Sequence, residues 1–236
     1  MTNYEEFIGL INGINEFLND KHNLDRNTTF GQAIYLSENK NAIVKRYSKE
    51  LSVYNELRNF IVHTPYVKGT LAEPTDEVIS NLDKIYKALK APKNIIKYVK
   101  QDVVCFDVDE SLSKVLSVVE KTGYSFFPIF TKNTLLGLLT SDGISKGLAK
   151  YVKEDIISLK EINIAEIIED DENIKNFITV SPNENIFNVI EMFETNSNKS
   201  SMPVTLLISN GNIKRTSDIQ GIITYWDLEQ LRDEIA

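Results

Sequence analysis

Apolar residues recur at helical spacing through the first part of the chain. Phe7, Leu10, Ile11, Ile14, Phe17 and Leu18 form one stripe, the period of a helix that buries a single face. The polar stretch "NLDRNTTFGQ", residues 23–32, reads as a connector. A second stripe, Leu51, Tyr54, Leu57 and Ile61, runs through residues 49–63. Two prolines and a glycine break the pattern over residues 64–74. "TDEVISNLDKIYKAL" then predicts a helix with Thr75 as its cap and acids in its first turn. Pro92 closes the unit. Residues 1–93 are therefore expected to form an all-α bundle.

From residue 94 the rhythm changes. Short β-branched runs alternate with amphipathic helices, and the pattern occurs twice. "VVCFDVDESLSKVLSVVEKTGYSFFPIF" is one copy and "FITVSPNENIFNVIEMFETNSNKSSMPVTLLI" the other. Val104 is matched to Ile178, Glu110 to Glu184 and Pro128 to Pro203. Each copy predicts a strand, a polar turn, a helix, a strand with a proline, and a hairpin. The hairpins lead to "GLLT" in one copy and "GIIT" in the other. The second hairpin, around "SNGNIKRTSDIQ", is longer and polar, hence expected at the surface.

Composition narrows the class. A chain of 236 residues, 42% apolar and 25% charged, suits a globular protein with a real core. No run of about 18 apolar residues points to a membrane span. The start, "MTNYEEFIGL", lacks the basic region of a signal peptide. Cys105 is the only cysteine, which excludes an internal disulfide and fits a cytoplasmic location. One cysteine and two histidines argue against a zinc site, so no metal is expected. The net charge of −8 is uneven: residues 1–93 carry 12 basic and 12 acidic side chains, residues 94–236 carry 14 and 22. An acidic C-terminal part argues against a broad nucleic-acid surface there.

Residues 94–236 resemble two CBS domains in tandem, a Bateman module. The resemblance rests on the polar turns "DVDESL" and "SPNENI", the strand proline and the Gly-apolar-apolar-Thr endings. It implies an α+β fold: a helical bundle over 1–93, then two β-α-β-β-α units over 94–160 and 161–236, with their sheets packed face to face. It also implies clefts that bind an adenine nucleotide such as AMP, ADP or ATP. In the family a Thr or Ser followed three residues later by Asp lies at the cleft. Thr224 and Asp227 fit that pattern. A carboxylate suits a ribose cis-diol because it is a double acceptor, and a helix start offers N–H groups to an anion. Adenine is then expected against Ile178, Thr179, Met202 and Pro203. The same two residues also satisfy a plain helix-start rule, a cap with an acid in the first turn. In the first copy Thr140 is present but Gly143 stands where the Asp belongs, and Asp142 is one position early. One equipped cleft and one degenerate cleft are expected.

"LRNFIVH", residues 57–63, carries Arg58, Asn59 and His63. Arg-Asn-x-x-x-His on a helix resembles the signature of HEPN domains, helical bundles that dimerise and in many cases cleave RNA without metal. Neutral His63 can accept a proton near pH 7, Arg58 can hold a phosphate, and Asn59 can orient the imidazole. Arg58 and His63 are about 140° apart around the helix, so a joint site is expected only where two subunits meet.

Two readings stay open. One is a nucleotide-sensing regulator with a non-catalytic, dimerising helical part. The other is a ribonuclease, with RNA as a partner, gated by the CBS pair. A cyclic dinucleotide such as c-di-AMP is a third ligand that Asp227 alone does not distinguish from AMP or ATP.

Overall fold

The computed structural model describes residues 2–63, 72–152, 157–169, 171, 174–196 and 204–235. The chain divides into two compact units, one of residues 1–93 with 185–191, the other of 94–184 with 192–236.

In the first unit four of the described helix starts, those of α1, α2, α3 and α5, have a side-chain cap. α1 (Asn3–His22) opens on a reciprocal box, in which Glu5 N donates to Thr2 Oγ1 (3.2 Å) and Thr2 N donates to Glu5 Oε2 (2.9 Å). Its buried stripe is Phe7, Ile11, Ile14 and Leu18. α2 (Phe30–Glu38) begins inside the stretch expected to be a connector. There Thr29 and Gln32 form a second capping box, which outweighs the polar composition around it. α3 (Ala42–Arg46) starts at Asn41, whose side chain accepts from two backbone N–H groups. α4 (Ser48–His63) buries Leu51 and Tyr54, while Leu57 and Ile61 are only half-buried. α5 (Asp76–Lys90) has Thr75 as its cap and sets Ile79, Leu82, Ile85 and Leu89 inward. α1 and α5 pack closely. Gly13 permits this, because a Cβ there would stand 2.8 Å from the Tyr86 hydroxyl.

The second unit holds the repeat apart from residues 185–191, which are grouped with the first. The first copy runs β1 (Phe106–Asp107), α6 (Leu112–Thr122), β2 (Phe126–Thr131), β3 (Thr134–Thr140) and α7 (Ser141–Leu148). A short helix, α8 (Ile164–Ile168), precedes the second copy. That copy runs β4 (Phe177–Val180), α9 (Ile186–Asn196), β5 (Thr205–Ile208), β6 (Gly221–Ile223) and α10 (Leu228–Asp233). In both three-stranded sheets the first strand is parallel to the second and the second antiparallel to the third. The α+β class and the β-α-β-β-α order are those expected.

One correspondence is corrected by the registers. Pro128 pairs with Leu138, the residue after Gly137, and Leu207 pairs with Ile222, the residue after Gly221. Leu207 therefore takes the place of Pro128, four positions beyond Pro203. The long connection over 209–220 hides this shift from a motif count, because it changes the spacing between the strand proline and the closing glycine.

Alternation along the strands divides the core. Phe127, Ile129 and Leu139 face Leu112, Val115 and Ile144 on α6 and α7. Phe130 and Leu138 face the other way and meet Leu207 and Ile219 of the second copy, with Cys105 and Ile222 packed beside them. The two sheets thus meet face to face. The glycines of "GLLT" and "GIIT" allow a further close approach. A Cβ at Gly137 would overlap the carbonyl of Ile174, and one at Gly221 would overlap the Val99 side chain. The segment leading into each copy lies across the last strand of the other copy: Leu138 N donates to Ile174 O (2.9 Å), and Lys100 bridges Ile222.

Candidate functional site

Thr224 stands at the end of β6, and a 3-10 turn, Tyr225–Asp227, leads into α10. Three groups of residues line a cleft beside this turn. Lys100, Asp102, Val103 and Val104 come from the segment leading into the first copy, and Gly123, Tyr124, Ser125 and Phe126 from the entry to β2. Ile222, Thr224, Trp226 and Asp227 come from the second copy. The wall is mostly apolar, with Asp102, Tyr124, Ser125, Thr224 and Asp227 as its oxygen-bearing side chains and Lys100 as its cation.

The carboxylate of Asp227 has two distinct oxygens. Oδ2 accepts from Thr224 N (2.8 Å) and from Thr224 Oγ1 (3.0 Å). Oδ1 lies 4.0 Å from Lys100 Nζ, on a lysine side chain that is 79% exposed. The helix-start role and a place in the cleft therefore coexist in one side chain. The anion-binding role expected of the helix start has little support, because α10 has only six residues after a 3-10 turn.

The first copy differs at the same place. Thr140 Oγ1 accepts from Gly143 N (3.0 Å), a simple cap. Asp142 turns outward to Lys146 (2.7 Å). Asp171, from the segment leading into the second copy, occupies the space in front of Gly143: a Cβ at 143 would stand 2.5 Å from Asp171 Oδ2. Glycine is thus the residue that leaves room for a carboxylate supplied from elsewhere in the chain.

The structure brings Thr224 and Asp227 into contact. Ile178 and Thr179 are not among the residues lining this cleft. They sit on β4, paired with Leu206 and Leu207. Met202 and Pro203 lie outside the described residues. The cleft walls contributed by the first copy, and Trp226, had not been anticipated. Trp226 is the only tryptophan in the chain. Its indole is 83% exposed and touches Tyr225 edge to face at 6.4 Å. A lone tryptophan inside the Thr-x-x-Asp span was the sequence signal for it.

On α4, Arg58 Nη1 reaches Asn59 Oδ1 (3.1 Å) and His63 Nε2 (3.2 Å). The three motif residues thus meet within a single helix, contrary to the expectation of a site completed only by a second subunit. The guanidinium is long enough to span the angular gap. Because arginine only donates, a hydrogen bond at this contact requires Nε2 as the acceptor. The cluster is exposed.

Among the described residues no group of His, Cys, Asp and Glu is placed to hold a metal ion. No described helix is long and apolar enough to cross a membrane. Burial pushes the Cys105 thiol up to about 11.

The family model for the CBS domain matches residues 95–150 and 165–232, more than half of the chain. No curated protein matches it. Among solved structures, the CBS domain of a putative transporter from Clostridium difficile 630 is 19% identical, with a TM-score of 0.41, over 61% of this chain and 96% of that one. The CBS domain pair of protein MJ0100, in complex with 5-methylthioadenosine and S-adenosyl-L-methionine, is 18% identical with a TM-score of 0.39, over 61% and 99%. The CBS domain of a bacterial CNNM/CorC family Mg2+ transporter in complex with ATP is 15% identical with a TM-score of 0.41, over 64% and 92%.

Proposed function

The chain belongs to the CBS domain family, and from that premise we propose that residues 94–236 sense an adenine nucleotide and signal its presence to a helical part that dimerises. The observation that carries this reading is the shared cleft of Thr224 and Asp227, walled by apolar side chains. A ribose offers two vicinal hydroxyls, and Asp227 has a carboxylate oxygen, Oδ1, outside its local cap. The base then lies against apolar wall, and the Thr224 hydroxyl stands beside the 5′ substituent. A ligand regulates only by its differential affinity for two states, and about 1.4 kcal/mol suffices for a tenfold change in output. The test is mass spectrometry of small molecules released from the washed, purified protein, and of those it takes up from a mixture of AMP, ADP, ATP and c-di-AMP. One adenine compound per chain is expected. A protein that carries none and takes up none contradicts the reading.

The contact of Arg58 with both Asn59 and His63 favours a second reading, in which the helical unit cleaves RNA under control of the CBS pair. A phosphate drawn to Arg58 would free Nε2 of His63 to accept the 2′-hydroxyl proton. Arg58→Ala and His63→Ala should then each abolish cleavage of a mixed RNA substrate, with the wild type active in EDTA and yielding 2′,3′-cyclic phosphate ends. Equal inertness of wild type and His63→Ala, with and without adenine nucleotides, removes this reading.

A further inference from the structure

The composition of the cleft says which end of a nucleotide it holds. Among the described residues its lining has one cation, Lys100, against two carboxylates, Asp102 and Asp227. A phosphate drawn to Lys100 also approaches a carboxylate, because Asp227 Oδ1 stands 4.0 Å from its ammonium. The helix after the motif has six residues and supplies no strong N-terminal field. The surrounding part of the chain carries 22 acidic and 14 basic side chains, so its long-range field repels polyanions. Against this, the cleft is rich in apolar and aromatic surface, and the Trp226 indole is 83% exposed directly beside Asp227. A tryptophan so exposed leaves most of its aromatic surface open at the rim of the cleft. A purine offers a matching face within a few ångströms of the ribose hydroxyls that Asp227 is placed to meet.

Resting on the nucleotide-sensing reading above, we infer that the cleft selects the nucleoside end of its ligand: adenosine or its monophosphate, with the base stacked on Trp226, in preference to ADP or ATP. Each phosphate beyond the first adds negative charge that faces Asp102 and Asp227 with only Lys100 to offset it. Base and ribose contacts are common to all four ligands, so the phosphates decide between them, and they decide against the longer chains. Stacking on an aromatic platform is sequence-tolerant in other settings because every base has a π-face. The ribose contact at Asp227 and the shape of the apolar wall supply the remaining selection. Trp226 is thus a specificity-determining residue that the Thr-x-x-Asp pattern does not include.

The experiment titrates the full chain with adenosine, AMP and ATP, the last with and without magnesium. It follows the fluorescence of the single tryptophan and the heat of binding. Adenosine and AMP should bind with similar affinity and quench the indole, and ATP should bind at least about tenfold more weakly than AMP. Trp226→Ala should weaken adenosine and AMP by about tenfold or more, and Trp226→Phe should retain most of the affinity by calorimetry. The exposed indole holds up no core, so both variants should melt with the wild type, which separates a binding loss from a folding loss. ATP bound as tightly as AMP, or Trp226→Ala bound like wild type, overturns the inference and leaves the nucleotide reading standing. Indole fluorescence that follows protein concentration and ignores ligand assigns Trp226 to a contact between copies and overturns it as well. If the wild type binds none of the three, the nucleotide reading falls together with the inference.

Discussion

Replacing Asp227 by asparagine and by alanine separates its two roles. In the structure Oδ2 accepts from the backbone N–H and the hydroxyl of Thr224. Alanine removes this cap, which costs about 0.5–2 kcal/mol. The contact with Lys100 adds almost nothing to stability, because the lysine is 79% exposed and the separation is 4.0 Å. For a chain of this size about 1 kcal/mol shifts Tm by roughly 2–4 °C. Asp227→Ala should therefore melt a few degrees below wild type. Asparagine retains one oxygen as acceptor for Thr224, so Asp227→Asn should melt within about 1–2 °C of wild type. Binding separates the variants from wild type differently. An amide presents a donor where the second carboxylate oxygen was, so the ribose diol loses an acceptor. That loss is worth about 1.5–3 kcal/mol, or roughly ten- to a hundredfold in Kd. Both variants should bind AMP weakly by calorimetry, while Asp142→Ala, whose carboxylate turns outward to Lys146, should bind like wild type. Wild-type affinity in Asp227→Asn would show that the carboxylate is only a cap, and would refute the site.

Four more outcomes are expected. Gly143→Asp restores the Thr-x-x-Asp spacing in the first copy, yet it should destabilise the protein by about 1–3 kcal/mol in chemical denaturation, because its Cβ meets Asp171 Oδ2 at 2.5 Å; adding Asp171→Ala should recover most of the loss, and no recovery would refute the account of Gly143. Cys105, its thiol pushed up to about 11 by burial, should be alkylated by iodoacetamide at pH 8 far more slowly than in the urea-unfolded chain. Because the folded-state value is raised, this thiol's contribution to stability is complete below the unfolded value of about 8.5 and is lost as pH rises toward 11, which denaturation midpoints across that window will report. Light scattering at micromolar concentration should give at least twice the mass of the chain, and a monomer mass would remove the dimer from the proposed signalling.

The repeated strand-helix order was legible because it depends on local pattern: β-branched runs, amphipathic stripes and Gly-apolar-apolar-Thr endings, each present twice. The helix starts at Thr75 and Thr224 were legible for the same reason, since a cap is decided within four residues. Thr29 shows the limit, for its capping box with Gln32 sits in a stretch whose overall polarity reads as loop. Thr224 and Asp227 were found from spacing alone, but the cleft wall opposite them was not. Val103, Val104 and Tyr124 are about a hundred residues away in sequence, and only the packing of the two sheets brings them there. The register shift from Pro128 to Leu207 escaped because a proline is a conspicuous marker and strand pairing is not visible in a linear motif. Helical angle alone separates Arg58 from His63, because it ignores the reach of a guanidinium. Asp171 in front of Gly143 is a tertiary replacement that no local pattern encodes.

The central claim concerns a place, so the most direct measurement is one that reports position. Backbone amide spectra of the labelled full chain, recorded during addition of AMP, should shift at Lys100–Val104, Gly123–Phe126 and Ile222–Asp227, with the Trp226 indole signal moving in the same titration. Saturating shifts confined to these segments are the predicted result. Shifts that cluster around Thr140 and Gly143, or spectra unchanged at millimolar AMP, would contradict the account.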